Sequence, residues 1–431
     1  MGKDLDFEIK SFRLELKSPF KIAHGVSLHR DTVVVVIKYR GVSGLGEAPV
    51  VPYYVSDKYV SDKDPPATSL VGEIEEFLEE LVLDRVIGVL TEEWRRWKIR
   101  DRLEILDGFF ENLGIGRLSG FSRCAVTTAL LDVSSRVLGK SFGEYVGVNF
   151  EDGRVRRGFE VVTSLTVAER DVEGIVGSIE KLYRMEKEGA GKGRLRSVKK
   201  PLVKLKLGFD SDVEVLTEAL LSLRERFRVD RIFRFSVDVN QGWSGCGFGD
   251  LCKKFLGLYR LLGEGFEIEF VEEPVDWGMA KIEEFWAEFE GEHAGGFPHE
   301  KSIPVFLDES VKSFAEVESL SCMARAGNLD VIGGIVAKLG KFGGPVSTLR
   351  AVRLAKQVGL RVMMGCFIES NVGIAAAAYL SRECDYVDLD SPFLVKNKPA
   401  VGLESFQVVN ETGAVLGVLS LPQGPGLGVR I

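Results

Sequence analysis

Two lysines two positions apart, Lys204 and Lys206 in LVKLKLG, precede three short β-branched runs that each end in an acid: Asp238 in FSVDVNQGW, Glu272 in EFVEEPV and Asp308 in VFLDESV. On a strand, residues two apart face the same side, so both ammonium groups point together. Such groups are expensive to bury unless they are paired or functional. Any one of the three acids alone reads as a helix cap or a loop residue. Delivered at equivalent ends of consecutive strands, they form an oxygen-donor cluster suited to one Mg2+, with positions left for substrate; oxygen ligands do not separate Mn2+ sharply from it. Glu273 and Glu309 follow directly and should point to the other face. A later run, VIGGIVAKLGKFGG, ends in Lys338.

A cation flanked by lysines suits removal of a proton α to a carboxylate. The metal offsets the charge of the developing enediolate, one lysine takes the proton, and the other stands on the opposite face. A lysine acting as base near neutrality must fall from about 10.4 to about 7 or 8, and Lys204 and the metal supply the like charge that lowers it. The histidines His24, His29, His293 and His299 lie away from these strand ends, which argues against a histidine base.

These residues need a frame. From about residue 160, eight short apolar runs alternate with helical patterns, near 161–167, 202–206, 234–238, 267–271, 304–307, 331–337, 361–364 and 386–389. A repeat of about 32 residues is that of a closed β/α barrel of roughly 250 residues, whose C-terminal mouth would gather the charged strand ends. The segment Asp212–Phe227 has the amphipathic spacing of an outer helix. Residues 1–155 read as a separate α+β domain, with strand alternation in Phe7–Leu16 and Thr32–Tyr39 and a helical stretch over Arg123–Leu138. The tail after Pro392, rich in Gly and Pro, returns to short strand patterns and should pack back on that first domain. A basic insertion, KGRLRSVKK at 192–200, reads as a solvated surface segment.

Composition sets the outer limits. With 431 residues, 45% hydrophobic and 28% charged, the chain is neither disordered nor fibrous. A net charge of −8 gives no general basic field for nucleic acid, so a small-molecule partner is expected. The longest apolar runs, Val33–Ile37 and Ile374–Leu380, are far short of the roughly 20 residues of a membrane span. The start MGKDLDFEIK lacks the apolar core of a signal peptide, and Asp6 spoils a myristoylation pattern. A cytoplasmic protein is expected. The six cysteines are scattered, and Cys246 and Cys252 are too far apart for a two-residue metal clip, so buried free thiols are expected. Four Gln and seven Asn lean toward a heat-adapted composition.

The ordered set KLK (Lys204–Lys206), DVNQGW (Asp238–Trp243), VEEP (Val271–Pro274), LDES (Leu307–Ser310) and AKLGKFGG (Ala337–Gly344) resembles the muconate-lactonising subgroup of the enolase superfamily, over nearly the whole chain. The pairing of a lysine base with Mg2+ is itself a known trait of that superfamily. The resemblance implies an α/β fold, an N-terminal α+β capping domain (1–155) plus a modified TIM barrel, (β/α)7β (156–392), and a C-terminal segment (393–431) on the capping domain. It implies that Asp238, Glu272 and Asp308 hold one Mg2+, that Lys206 and Lys338 exchange the proton, and that Lys204 tunes Lys206. DYVDLDSP looks like the Asp-x-Asp feature with which dipeptide epimerases hold a substrate ammonium, here Asp388 and Asp390; two carboxylates there would also repel a diacid. GCFIESNVGIAAAA looks like the seventh-strand exit of such enzymes, with Glu369 positioning substrate, and Asn240 joins the substrate contacts. SPFKIAHG and GEAPVVPYYVSD look like the two loops that cover substrate. Relatives acting on alanyl-glutamate carry an arginine where this chain has His24, which speaks against an acidic second residue. Further departures are the insertion near 184–200 and a long interval from 308 to 338.

The expectation is therefore an isomerase: a Mg2+-dependent dipeptide epimerase acting by 1,1-proton transfer at the α-carbon of the C-terminal residue, and a homo-oligomer. Two alternatives stay open. One is a sister reaction of the subgroup, namely a cycloisomerase, an o-succinylbenzoate synthase or an N-acylamino-acid racemase. The other is a non-catalytic metal-binding barrel, which would have no need of two opposed lysines.

Overall fold

In the computed structural model of the chain, the described residues are 5–22, 25–51, 66–148, 159–184, 200–293 and 303–431. The N-terminal strands β1 (Leu5–Ile22), β2 (Gly25–Tyr39) and β3 (Val42–Pro49) form an antiparallel sheet in that order. Val33 to Ile37 are all buried, which is why this run is continuously apolar instead of alternating. The helix Gly120–Val137, capped at its start by Ser119, packs against β3. Gly44 and Gly46, two apart on that strand, make the close approach possible. A Cβ at Gly46 would lie 1.9 Å from the Ala125 carbonyl oxygen, and one at Gly44 would lie 2.3 Å from the Val133 nitrogen.

The run read as a first barrel strand divides. β4 (Glu160–Thr163) turns away from the barrel and pairs with a C-terminal strand, whereas β5 (Leu165–Val167) begins the barrel. The barrel continues through β6 (Leu202–Lys206), β7 (Arg234–Asp238), β8 (Ile268–Glu272), β9 (Val305–Leu307), β10 (Ile332–Ala337), β11 (Arg361–Gly365) and β12 (Tyr386–Asp388). These eight strands form one sheet in sequence order, and each described neighbouring pair is parallel. At least one helix lies in each of the seven connections from one strand to the next, as (β/α)7β requires. The seam is drawn together where the Ser164 N–H donates to the Val387 carbonyl at 2.9 Å.

The last two strands, β13 (Glu404–Val409) and β14 (Val415–Ser420), form a three-stranded antiparallel sheet with β4. Beyond it the chain reaches the capping helix. The buried Asp132 carboxylate accepts from the Leu427 N–H at 2.7 Å and from the Leu45 N–H at 2.8 Å, while Arg136 donates to the Val429 carbonyl at 2.8 Å.

Inside the barrel, side chains fall into layers. Leu202, Phe270, Phe306, Val336, Met363 and Tyr386 make an apolar floor, with the Phe270 and Phe306 rings stacked 4.0 Å apart. Two residues further along the same strands, on the same face, stand Lys204, Glu272, Asp308, Lys338 and Asp388. Among the described residues, no helix is long and apolar enough to cross a membrane.

Candidate active site at the mouth of the barrel

The charged layer above that floor is a single hydrogen-bonded network. Lys204 donates to Asp388 Oδ2 at 2.7 Å and to Glu272 Oε1 at 3.1 Å, and its Nζ lies 2.9 Å from Asp238 Oδ2. Lys206 donates to the same Asp238 oxygen at 2.5 Å and to Asn240 Oδ1 at 2.9 Å. The Asn240 amide then donates to Glu309 at 3.1 Å. Across the barrel, Lys338 donates to Asp308 Oδ2, and Lys341 donates to Asp308 Oδ1 at 2.6 Å. The strand register explains the convergence, since Lys206, Asp238 and Glu272 are successive partners across β6, β7 and β8.

Burial and charge act together here. Burial works against ionising Asp238, yet the ammonium groups of Lys204 and Lys206 outweigh it and hold this carboxyl below the usual range. Asp308 is likewise held low, against its burial, by Lys338 and Lys341. Burial also disfavours charge on Lys204, but Asp238, Asp388 and Glu272 raise it well above its ordinary value. Lys338 stands between opposing influences. Burial and, weakly, Lys204 lower it, but Asp308, Glu272 and Glu309 together overcome both and raise it, so this network holds Lys338 charged.

The donor set fits a hard divalent cation. Asp238, Glu272 and Asp308 are buried carboxylates on adjacent strand ends, and Glu272 Oε2 accepts no hydrogen bond, although it lies 2.9 Å from the Lys204 ammonium. With the side chains as they stand, no group of three His, Cys, Asp or Glu residues among the described residues already converges as a metal site. The lysines are hydrogen-bonded to the oxygens a cation would need.

An open cavity of about 640 Å3 leads to this layer. Lys204, Lys206, Asn240, Lys338, Asp388 and Asp390 all line it, so the structure brings these predicted residues together. Asp390 carries a buried oxygen, Oδ2, without a hydrogen-bond donor among the described residues. Burial, and then the Asp388 charge, push the Asp390 carboxyl up to about 6.

Other placements differ. Glu369 is not among the cavity-lining residues; it is buried beside Glu47 of β3, and burial followed by the Glu47 charge pushes it up to about 8. His24 lies outside the described residues, as do most of the basic insertion at 192–200, residue 23 of the first expected covering loop and residues 52–57 of the second. Glu309, expected on the opposite face, lines the cavity, because β9 ends at Leu307 and strand alternation no longer governs residue 309. Glu273, at φ +40°, does turn away and accepts from the Asp308 N–H at 2.7 Å. Sequence reasoning missed Lys341 and Glu47. The signal for Lys341 was present, three residues beyond Lys338 in a short helix, Leu339–Phe342. That for Glu47 was the GEAP segment of β3.

Comparison with known proteins agrees with this architecture. The family model described as "Enolase C-terminal domain-like" matches residues 194–431. The L-Ala-D/L-amino acid epimerase of Maribacter sp. is 27% identical over 416 residues, covering 96% of each chain. Among solved structures, the substrate-liganded L-Ala-D/L-Glu epimerase of Bacillus subtilis superposes with a TM-score of 0.68 at 21% identity, covering 99% of both chains. The dipeptide epimerase of Enterococcus faecalis V583, complexed with Mg and the dipeptide L-Leu-L-Tyr, gives a TM-score of 0.69 at 19% identity, covering 99% of this chain and 100% of the other. With an eight-stranded parallel barrel, an antiparallel N-terminal sheet and relatives of this kind, the chain is an isomerase and belongs to the enolase C-terminal domain-like family.

Proposed function

We propose that the chain is a dipeptide epimerase that inverts the α-carbon of the C-terminal residue of its substrate. The observation that carries this reading is the charged layer itself: lysines from β6 and the end of β10 face one cavity, with three carboxylates between them and two more at the end of β12. Asp238, Glu272 and Asp308 would hold Mg2+. When bound, the cation supplies positive charge to the substrate carboxylate as the neighbouring α-carbon loses its proton.

The chain's own residues do the rest. Lys206 Nζ and Lys338 Nζ remove and return the α-proton from opposite faces, so that return from the far side inverts the centre. Lys204, bonded to three carboxylates, stays charged and keeps the layer neutralised without itself needing to exchange a proton. Asp388 and Asp390 receive the substrate ammonium, a role supported by the unsatisfied Asp390 Oδ2. The apolar side chains of Phe367 and Ile368 line the same cavity and exclude water from the transfer.

The test is mass-detected deuterium uptake from heavy water by pooled L,L-dipeptides, with Mg2+ and then with chelator. Metal-dependent exchange at the C-terminal residue's α-carbon is expected. Exchange only in N-acylamino acids or diacids run in parallel would move the function to a sister reaction, and exchange in none would leave a binding barrel.

A further inference from the structure

The two oxygens of Asp308 face two different lysines, and those lysines line two different cavities. Oδ2 accepts from Lys338, which lines the active-site cavity. Oδ1 accepts from Lys341 at 2.6 Å, and the same ammonium donates to the Asp308 backbone carbonyl at 2.7 Å. Lys341 does not line the active-site cavity. It lines a separate one, of about 880 Å3, between the capping helices and the barrel, along with Arg123, Phe314 and Arg350. Asp308 is therefore held from behind, at both its side chain and its main chain, by one residue.

The segment that carries this lysine is itself braced. The Lys341 side chain has no exposed surface, so its placement needs a partner of opposite sign; Asp308 is that partner. The short helix Leu339–Phe342 ends in Gly343 at φ +78° and Gly344 at φ +114°. A Cβ on Gly344 would lie 2.3 Å from Thr127 Oγ1, so the capping helix Gly120–Val137 bears directly on the turn. Lys338 and Lys341 thus share one rigid support.

We propose that Lys341 is a positioning residue for Asp308, committing Oδ1 and the main chain so that Oδ2 alone is presented to the active-site cavity. This rests on the reading of Asp308 as a ligand of a divalent cation. A carboxylate freed at Oδ1 would swing or bind in both modes, and the cation would be held less well.

Binding of Mn2+ alone, followed by the loss of the free-ion paramagnetic resonance signal, tests this without substrate. Lys341→Met, shown folded by circular dichroism, is expected to weaken Mn2+ binding at least about tenfold relative to wild type. Affinity within twofold of wild type overturns the proposal while leaving the metal reading intact. Wild type that binds no Mn2+ overturns both. If Lys341→Met does not fold, Lys341→Ala prepared with propylammonium replaces it, because the truncation leaves beside Asp308 the space that the lysine's own alkylammonium had filled. Mn2+ affinity that rises with propylammonium is expected; affinity indifferent to it overturns the proposal.

Discussion

Lys204 and Lys206 converge on one oxygen: their Nζ atoms lie 2.9 and 2.5 Å from Asp238 Oδ2. The shared acceptor makes the two lysines look alike, but their other partners separate them. Lys204 also reaches Glu272 and Asp388, and its side chain is 4% exposed, whereas Lys206 is 11% exposed and turns to Asn240 at the cavity.

Their removal should therefore fail in different ways. Lys204→Ala leaves three buried carboxylates short of a counter-charge, and a loss of about 3–5 kcal/mol in urea-induced unfolding is expected. Lys206→Ala should unfold within about 1 kcal/mol of wild type by the same measurement, since Asp238 keeps Lys204.

For chemistry the order reverses. Lys206→Ala and Lys338→Ala are each expected to lower epimerisation of a dipeptide by about 100-fold or more, the usual scale of a lost acid or base, while the lysine left in place still exchanges the α-proton of the one epimer that it faces. Because the two lysines serve opposite faces, each variant should lose inversion in both directions.

Substrate affinity should follow Asp390. Its carboxyl, raised to about 6 by burial and by Asp388, gains its negative charge as pH rises through that value. KM for a dipeptide with a free ammonium should fall between pH 5 and pH 7, and Asp390→Asn should remove that dependence. N-acylated substrates measured in parallel should not show it.

Glu369 makes the opposite demand on stability. Burial and the Glu47 charge raise it from 4.5 to about 8 in the fold. The folded state therefore binds more protons than the unfolded state between those values, so its contribution to stability declines as pH rises from about 4.5 to 8. Thermal unfolding of Glu369→Gln should show a flatter pH slope than wild type across that range and a higher Tm at pH 8.

Glu47 links the two domains by hydrogen bonds. Its carboxylate accepts from Thr32 Oγ1 at 2.7 Å, from the Ser370 N–H at 2.7 Å and hydroxyl at 2.6 Å, and from the Gly373 N–H at 2.8 Å. A side chain of β3 thereby caps the barrel helix Asn371–Leu380. Glu47→Ala is expected to cost about 3 kcal/mol in denaturant unfolding, with Glu47→Gln intermediate.

The barrel and its charged layer were legible because a strand has period two. The charged residues stand two places beyond the apolar floor on the same strands, so composition at the strand ends reports the interior directly: Phe270 and Glu272, Phe306 and Asp308, Val336 and Lys338. The rule stops where the strand stops. Glu309 was assigned to the wrong face for that reason, and Lys341, on a helical turn, escaped a search made along strands. The division of 160–167 into β4 and β5 depends on pairing with β14, some 250 residues away, which local pattern does not record. Glu369 carries no local mark that its neighbour is Glu47, because that contact is set by how two domains meet.

The bond from Leu427 to Asp132 spans 295 residues of chain. At a synthesis rate of about 5–20 residues per second, the capping helix waits roughly 15–60 s on the ribosome before its buried carboxylate receives that donor. The first-made domain is thus among the last to be completed, and a nascent chain stalled short of residue 427 would carry a catalytic barrel beneath an unfinished cap.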